Sequence, residues 1–306
     1  MATAQAPAAA PTSAAPGYVT QVQTIIRSGT GVHLPFYDTL PPMELSFGKS
    51  HLPSLEYGAN YFLQLSKVND INRLSTDMLE LYTHDIVGAE TDLENVYKAY
   101  NITSIKSYGK GVRAEAIVLD MSARNKIFKQ DRAFIKSNNY LNENNLYMSD
   151  HNMVTFEVFR PLFDFGSERY CILKVPTLYG RTIVNVVRVY CSVFRTVKLF
   201  KCASDSWLKD SAIMVCQDVC APNLERFLSY VRSVTRSTTW RDAHNVPFIL
   251  VPQPVEREFI EKFLEFSYKV YIALYYVHTL LYNSMTSESK SIENEHQKRL
   301  MKLLRT

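Results

Sequence analysis

The residues best suited to chemistry lie in a run without acidic side chains. Residues 169–203 contain seven basic residues and no Asp or Glu. From Ile183 onward the run alternates as a β-strand does, with successive side chains on opposite faces. One predicted face then carries cations and rings together, namely Arg188, Tyr190, Phe194, Lys198 and Phe200. Because rings stack on unpaired bases and cations neutralise phosphates, this face predicts one wall of a groove for single-stranded nucleic acid.

A second basic segment, residues 106–136, is predicted to form another wall of that groove. Eight basic residues stand there against three acids, with aromatic residues between them. The residues predicted to bind nucleic acid are Lys106, Tyr108, Lys110, Arg113, Lys126, Lys129, Arg132 and Lys136. If the acidic stretch 67–100 lies opposite, the net charge of +4 conceals a polarised surface. The alternative is an ordinary solvated basic face.

The acid-free run also has a purely structural interpretation. In a β-sandwich with both faces covered, Tyr190, Phe194 and Phe200 would be core residues and the cations would reach the edge. The strand-like stretch 182–201 is longer than a usual strand, so a bulge or turn inside it would break the face assignment. Both interpretations stay open at the level of sequence.

Catalytic motifs are not predicted. Gly109 and Gly111 form an isolated glycine pair, which favours a turn over a phosphate-binding loop. Asp164 and Glu168, followed by Lys174, lack the close acid-x-lysine spacing of many metal-dependent nucleases. The sequence therefore favours a binding protein over an enzyme, with no cofactor.

The cysteines indicate free thiols in a reducing compartment. There are five of them, and at this chain length their irregular spacing does not indicate a disulfide framework. Cys202, Cys216, Cys220 and His244 could in principle gather around zinc. Their spacing is irregular, and Cys216-x-x-x-Cys220 is looser than the common zinc knuckle, so buried thiols are the favoured interpretation.

Composition indicates a folded chain with an Ala/Pro-rich beginning. The 306 residues are 46% hydrophobic and 21% charged, as in globular proteins. Residues 1–17 are predicted to be a disordered tail. The longest apolar run, residues 270–282, is short of the roughly 20 residues that a membrane-spanning helix needs, so no membrane span is expected.

The pattern of elements predicts an α+β fold with a central antiparallel sheet or partly open barrel, flanking helices and a long C-terminal helix. Short strands and loops are expected over residues 18–65, a helix or helix pair over 67–100, and an exposed loop over 137–150. Further strands are predicted at 153–159, 170–175, 182–201 and 246–251, and helices at 223–234 and 255–282. The predicted division is a tail at 1–17, a nucleic-acid-binding core at 18–252 and a helical segment at 253–306.

The C-terminal helix carries a heptad-like apolar seam. Its apolar residues include Phe259, Phe263, Phe266 and Val270. Such a seam packs on its own domain or pairs with a second copy. Self-association through this helix is therefore predicted as one of two outcomes.

The middle of the chain resembles a viral family. The runs Lys106-Ser-Tyr-Gly-Lys-Gly-Val-Arg113 and Asn139-Tyr-Leu-Asn-Glu-Asn-Asn-Leu-Tyr147 carry the resemblance, which is to the baculovirus single-stranded DNA-binding proteins. That resemblance implies an early, non-enzymatic, oligomeric protein that coats single-stranded DNA, possibly also RNA, and destabilises short duplexes during viral DNA replication. It also implies a location in the replication compartment of the host nucleus. The alternative is a viral structural or scaffolding protein that self-assembles.

Overall fold

A mixed β-sheet with helices on both faces organises the chain. The computed structural model describes residues 16–43, 45–47, 92–107, 113–120, 154–175, 178, 181–205, 207, 211–234, 247–250 and 256–286. The helices are α1 (Pro16–Ser28), α2 (Asp92–Ala99), α3 (Arg160–Asp164), α4 (Arg181–Val193), α5 (Ala221–Val234) and α6 (Arg257–Thr286), with a 3-10 helix at Phe156–Phe159. The strands are β1 (Thr30–Leu34), β2 (Leu45–Phe47), β3 (Ile105–Lys106), β4 (Ala116–Asp120), β5 (Val154–Thr155), β6 (Tyr170–Val175), β7 (Phe194–Lys201), β8 (Ala212–Val219) and β9 (Pro247–Leu250).

Six of these strands form the larger sheet, in the order β1-β7-β8-β6-β4-β3. The β3-β4 and β4-β6 pairs are parallel, whereas β6-β8, β8-β7 and β7-β1 are antiparallel. A smaller antiparallel sheet has the order β2-β9-β5. The α+β prediction is confirmed, and over the described residues the larger sheet is mixed and open.

Both faces of the larger sheet are buried at β4 and β6. Ile117 on β4 and Leu173 on β6 point into the main hydrophobic core, which α4, α5 and α6 cover. Their neighbours Val118 and Ile172 point the other way and pack with α2. Period-two alternation thus supplies apolar side chains to both layers, as a sheet covered on both faces requires.

The segment predicted as one long strand, residues 182–201, changes structure in the middle. It is helical through Val193 and only then continues as β7. Its β-branched residues, such as Val186, Val187 and Val189, favour a strand by propensity. However, the side chains from Ile183 to Val193 are all buried, the polar Asn185, Arg188 and Ser192 included, so the rest of the protein encloses this helix. Tertiary packing therefore overrides propensity here, and the strand prediction for 182–193 is wrong.

Helix α1 lies in the region that was predicted to form short strands and loops, so that prediction is wrong for residues 18–28. Val22, Ile25 and Ile26 lie on its buried face at helical spacing. The helix begins at Pro16, inside the stretch assigned to the tail, and no glycine or proline interrupts residues 18–28. Residues 1–15 lie outside the described residues, as does most of the predicted helical region 67–100 and all of 137–150.

Gly29 follows the last residue of α1 and has a left-handed backbone conformation, which is strained for residues that carry a Cβ. Its φ is 72°, and a Cβ at this position would lie 2.5 Å from the carbonyl oxygen of Lys201. We expect Gly29→Ala to lower the free energy of unfolding by about 2 kcal/mol, measured by urea denaturation. Gly17→Ala in α1 is the control, because a Cβ there meets no atom within 4 Å. Equal stability of the two variants would contradict the predicted strain.

The remaining predicted elements are mostly found in place. β6, α5 and β9 match the predictions, whereas the predicted strand 153–159 is a short β5 followed by the 3-10 helix. The predicted C-terminal helix is present as α6, and its seam residues Phe259, Phe263 and Phe266 are buried in the chain's own core. The seam is therefore occupied and cannot pair with a second copy. The described residues include no helix with the length and apolar character that crossing a membrane demands.

Candidate functional site

The predicted groove wall does not form. Arg188 and Tyr190 lie on α4, Phe194 begins β7, and all three are 0% exposed. The Tyr190 hydroxyl donates a hydrogen bond to the Val158 carbonyl oxygen at 2.6 Å, and burial raises its pKa well above the ordinary value. Its ring stacks with those of Phe159 and Phe194, with centroids 6.5 and 6.1 Å away. Helix α4 places Arg188 and Tyr190 in the core and β7 places Phe194 there, so none of the three can stack on a base.

The Tyr190 hydroxyl gives a direct test of this placement. Tyr190→Phe leaves the Val158 carbonyl without that donor inside the core, so we expect the free energy of unfolding to fall by about 1–2 kcal/mol. Thermal or urea denaturation measures the change. Tyr268→Phe, at a tyrosine that is 48% exposed, is the matched control and should change stability by less than about 0.5 kcal/mol.

Lys198 and Phe200 are the part of the predicted wall that does lie on a strand. Both are half-buried on one face of β7, with the Lys198 ammonium 5.6 Å from the Phe200 ring centroid. In the register with β1, His33 lies opposite Lys198 and Gly31 lies opposite Phe200. The two residues therefore share a partly open sheet surface, but the other three members of the wall are not on it.

The second predicted wall is represented by two described residues, which are not equivalent. Lys106 is 6% exposed, forms an ion pair with Glu168 and donates a hydrogen bond to the Asp164 carbonyl oxygen at 3.2 Å. Burial alone would raise the pKa of Glu168, but Lys106 and the backbone N–H groups of Gly166 and Glu168 together lower it, and the pKa lies below the ordinary value. Lys106 is thus an internal residue, whereas Arg113 is exposed. The others lie outside the described residues: Tyr108, Lys110, Lys126, Lys129, Arg132 and Lys136.

Arg188 is the centre of a buried cluster that joins three parts of the chain. Its Nε donates to Glu256 Oε2 at 2.6 Å, and Nη2 donates to the other Glu256 carboxylate oxygen and to the Thr39 carbonyl oxygen. The guanidinium lies 3.9 Å from the centroid of the Tyr37 ring. The hydrogen bonds from Arg188 lower the pKa of Glu256. Through these contacts the cluster connects α4 with residues 37–39 and with the start of α6.

A second buried network lies where β6 and β7 end. Lys201 Nζ is 2.8 Å from Asp205 Oδ2, which also accepts a hydrogen bond from Ser211 Oγ at 3.1 Å. Lys174 Nζ is 2.6 Å from Asp92 Oδ2 and 3.6 Å from Asp205 Oδ1. Burial, followed by the nearby Asp205 carboxylate, raises the pKa of Asp92. The network ties the first residue of α2 to the sheet and to the connection between β7 and β8.

The thiols are mainly core residues. Cys171 and Cys216 lie opposite each other on β6 and β8, are 0% exposed, and have pKa values raised far above normal by burial. Burial also raises the pKa of Cys202 to about 12. Across the part of the chain that the structure describes, no group of three or more His, Cys, Asp or Glu side chains is arranged to hold a metal ion. His244 lies outside that part.

An aromatic surface, which the sequence reasoning missed, lies where α1 meets α6. We call it the tyrosine surface and define it by Tyr18, Tyr268, Ile272, Tyr275 and Tyr276. Tyr268 is 48% exposed and the other four are half-buried. Burial, followed by the nearby hydroxyl groups of the other three tyrosines, raises the pKa of Tyr18. The sequence signal was the absence of Asp, Glu, Lys and Arg from residues 270–286.

These features define an α+β protein with internal ion pairs and an aromatic surface of the kind that is common at subunit contacts. The family model of the small subunit of the poxvirus mRNA capping enzyme matches residues 22–305. The chain is 63% identical over 279 residues to the mRNA-capping enzyme regulatory subunit of Vaccinia virus, which covers 91% of this chain and 97% of that protein. It is 62% identical over 284 residues to the mRNA-capping enzyme small subunit of Yaba monkey tumor virus, covering 93% and 99%. The chain belongs to the family of poxvirus mRNA-capping enzyme small subunits.

Family membership corrects the functional interpretation of the sequence. The resemblance to baculovirus single-stranded DNA-binding proteins is wrong, and so are the predictions of single-stranded DNA binding, viral DNA replication and a homo-oligomer. The self-assembling scaffold alternative is not supported either. The resemblance rested on overall composition and two short runs, whereas the family match extends over residues 22–305. The host-nuclear location, which the resemblance implied, stays a prediction.

Proposed function

We propose that this chain is the regulatory subunit of an mRNA-capping enzyme and acts by binding a larger subunit that carries the catalytic centres. The observation that carries the proposal is the 63% identity to the Vaccinia virus regulatory subunit over nearly the full length of both chains. Two chains this similar over nearly their whole length share a fold. The chain therefore has the means to present the same surface to a corresponding partner.

The described structure is consistent with a binding role. Lys106, Arg188 and Lys201 each have a carboxylate partner inside the protein, so their charges serve the fold. The thiols of Cys171, Cys191 and Cys216 are buried and have raised pKa values, which makes them poor nucleophiles at neutral pH. The tyrosine surface, in contrast, has one exposed ring, Tyr268, beside four half-buried side chains. These chemical features favour association over a reaction centre in this subunit.

Reconstitution with the large subunit tests the proposal. The chain is expected to co-purify with a tagged large subunit of its own virus in a one-to-one complex. Cap formation on RNA with a 5′ triphosphate is then measured for the chain alone, for the large subunit alone and for the complex. We expect no activity from the chain alone and a change in at least one activity of the large subunit on complex formation. An active isolated chain, or a large subunit that neither binds the chain nor responds to it, would overturn the proposal.

A further inference from the structure

One face of the larger sheet becomes accessible where the cover of helix α2 ends. At β4, β6 and β8 this face packs with α2, and Phe200 on β7 lies at the border of that cluster. On β7 the same face continues with Lys198, and both side chains are half-buried. On β1, the register places His33 opposite Lys198 and Gly31 opposite Phe200, and both β1 residues are exposed. Because residues directly opposite each other share a face, these four lie together, and we call them the Lys198 surface.

Lys198 differs from the other lysines that the structure describes on the strands of the larger sheet. Lys106, Lys174 and Lys201 each form an ion pair with an aspartate or a glutamate. Within the described ranges, the Lys198 ammonium has neither an ion pair nor a hydrogen bond, and it lies 5.6 Å from the centroid of the Phe200 ring. The carboxylate partner that the other three lysines find inside the protein can therefore come to Lys198 from another molecule.

The Phe200 ring adds an apolar contact beside this charge. Gly31 has no side chain to cover the ring, and a Cβ at that position would lie 2.9 Å from the Cβ of Phe200. His33, across from Lys198 on β1, supplies a ring nitrogen that can donate a second hydrogen bond. The surface thus combines two donors for a carboxylate with an apolar floor for a neighbouring side chain.

The surroundings of Lys198 favour a carboxylate over a chain of phosphates. The next residue along the same face of β7 is Thr196, whose hydroxyl donates a long hydrogen bond, 3.5 Å, to the exposed carboxylate of Asp218. Opposite Thr196 on β8 lies the uncharged Gln217. A nucleic acid presents its phosphates in a row and needs several cations along its path. Here the positive charge is compact and an acidic residue follows it, which fits a short acidic segment of a protein.

We propose that the Lys198 surface binds an acidic peptide segment of another protein, with a carboxylate between Lys198 and His33 and an apolar side chain over Phe200. Lys198 provides the charge, His33 a second hydrogen bond and Phe200 the apolar contact. The proposal goes beyond the regulatory role and does not depend on it, because every residue of the site belongs to this chain.

A short fluorescent peptide that alternates glutamate with leucine tests the proposal. The full-length chain is titrated against this peptide, and fluorescence polarisation gives the dissociation constant. We expect Lys198→Met, which keeps an apolar stem and removes the charge, to weaken binding about 10-fold. Arg226→Met is the matched control, because Arg226 is an exposed cation on α5, which packs on the opposite face of the sheet. It should leave the dissociation constant within about twofold.

A second peptide, in which glutamine replaces every glutamate, measures the contribution of charge. Weaker binding of this peptide, together with the loss in Lys198→Met, supports the site. Equal affinity for the two peptides, or equal affinity of Lys198→Met and the wild type, overturns it. Tighter Lys198-dependent binding of a short oligouridylate would show that phosphates occupy the surface, and this also overturns the proposal. Melting temperatures within about 2 °C of the wild type establish that the variants are folded.

Discussion

Asp205→Asn is expected to lower the free energy of unfolding by about 3 kcal/mol, a value typical for removing one member of a buried ion pair. The Asp205 carboxylate neutralises Lys201, which is 0% exposed on its side chain, and lies 3.6 Å from the ammonium of Lys174. Burial alone would lower the pKa of Lys174, but Asp205 and Asp92 raise it, so this lysine stays charged. Asparagine keeps the size of the side chain but removes the ion pair of Lys201, while Lys174 keeps its ion pair with Asp92.

Urea denaturation measures this loss, and Trp207 in the hydrophobic cluster beside the network provides a fluorescence signal. Asp218→Asn is the matched control. Asp218 is exposed and accepts one long hydrogen bond, 3.5 Å, from Thr196, so the same substitution should cost less than about 0.5 kcal/mol. Its φ of 59° is also tolerated by asparagine. A loss below about 1 kcal/mol for Asp205→Asn would show that the network does not hold α2 and the sheet together.

Glu256→Ala is expected to have the second large effect, about 2–3 kcal/mol. The guanidinium of Arg188 is 0% exposed, and its Nη1 already has no hydrogen-bond partner among the described residues. Removal of Glu256 leaves this buried cation with the Thr39 carbonyl and the Tyr37 ring alone. Because Glu256 is itself 40% exposed, solvent screens the pair and the expected loss lies below that of a fully buried pair.

The pH dependence of this variant has a definite sign. Arg188 lowers the pKa of Glu256 below its ordinary value of 4.5. A carboxyl whose pKa is lowered by folding stabilises the protein above the unfolded pKa, and this stabilisation is lost as the pH falls through the folded pKa. The stability difference between the wild type and Glu256→Ala should therefore be full at pH 7 and shrink below about pH 4.5. A difference that grows on acidification would contradict the ion pair. Glu261→Ala is the control, because both members of its ion pair with Arg257 are exposed. This substitution should change the free energy of unfolding very little at every pH.

The elements that the sequence predicted well are those with a strong local pattern. Helix α6 has apolar residues at helical spacing over many turns, and α5 and β6 are bounded by clear changes in pattern. Helix α4 was mistaken for a strand because its β-branched residues favour strands locally, whereas the packing that encloses it in the core favours a helix. Because of that error, Arg188 and Tyr190 were predicted to lie at the surface, although they lie in the core. The predicted nucleic-acid groove depended on their exposure.

The ion pairs could not be predicted because their members are far apart in the chain. Arg188 and Glu256 are separated by 68 residues, and Lys106 lies on β3 whereas Glu168 precedes β6. From the sequence alone, Lys106 and Arg188 were free cations available to phosphates. Only strand order and helix packing reveal that each faces a carboxylate, and a buried cation is stable only with such a partner.

By itself, the sequence determined the α+β class, the long C-terminal helix, the burial of most cysteines and, through its residue order, the family to which the chain belongs. These properties follow from local periodicity, from composition and from direct similarity. Tertiary structure alone decided which cations are internal, which aromatic residues are core and which remain at the surface where α1 meets α6. The reason is physical: burial and charge pairing are relations between residues distant in the chain, and they exist only once the sheet and its helices have come together.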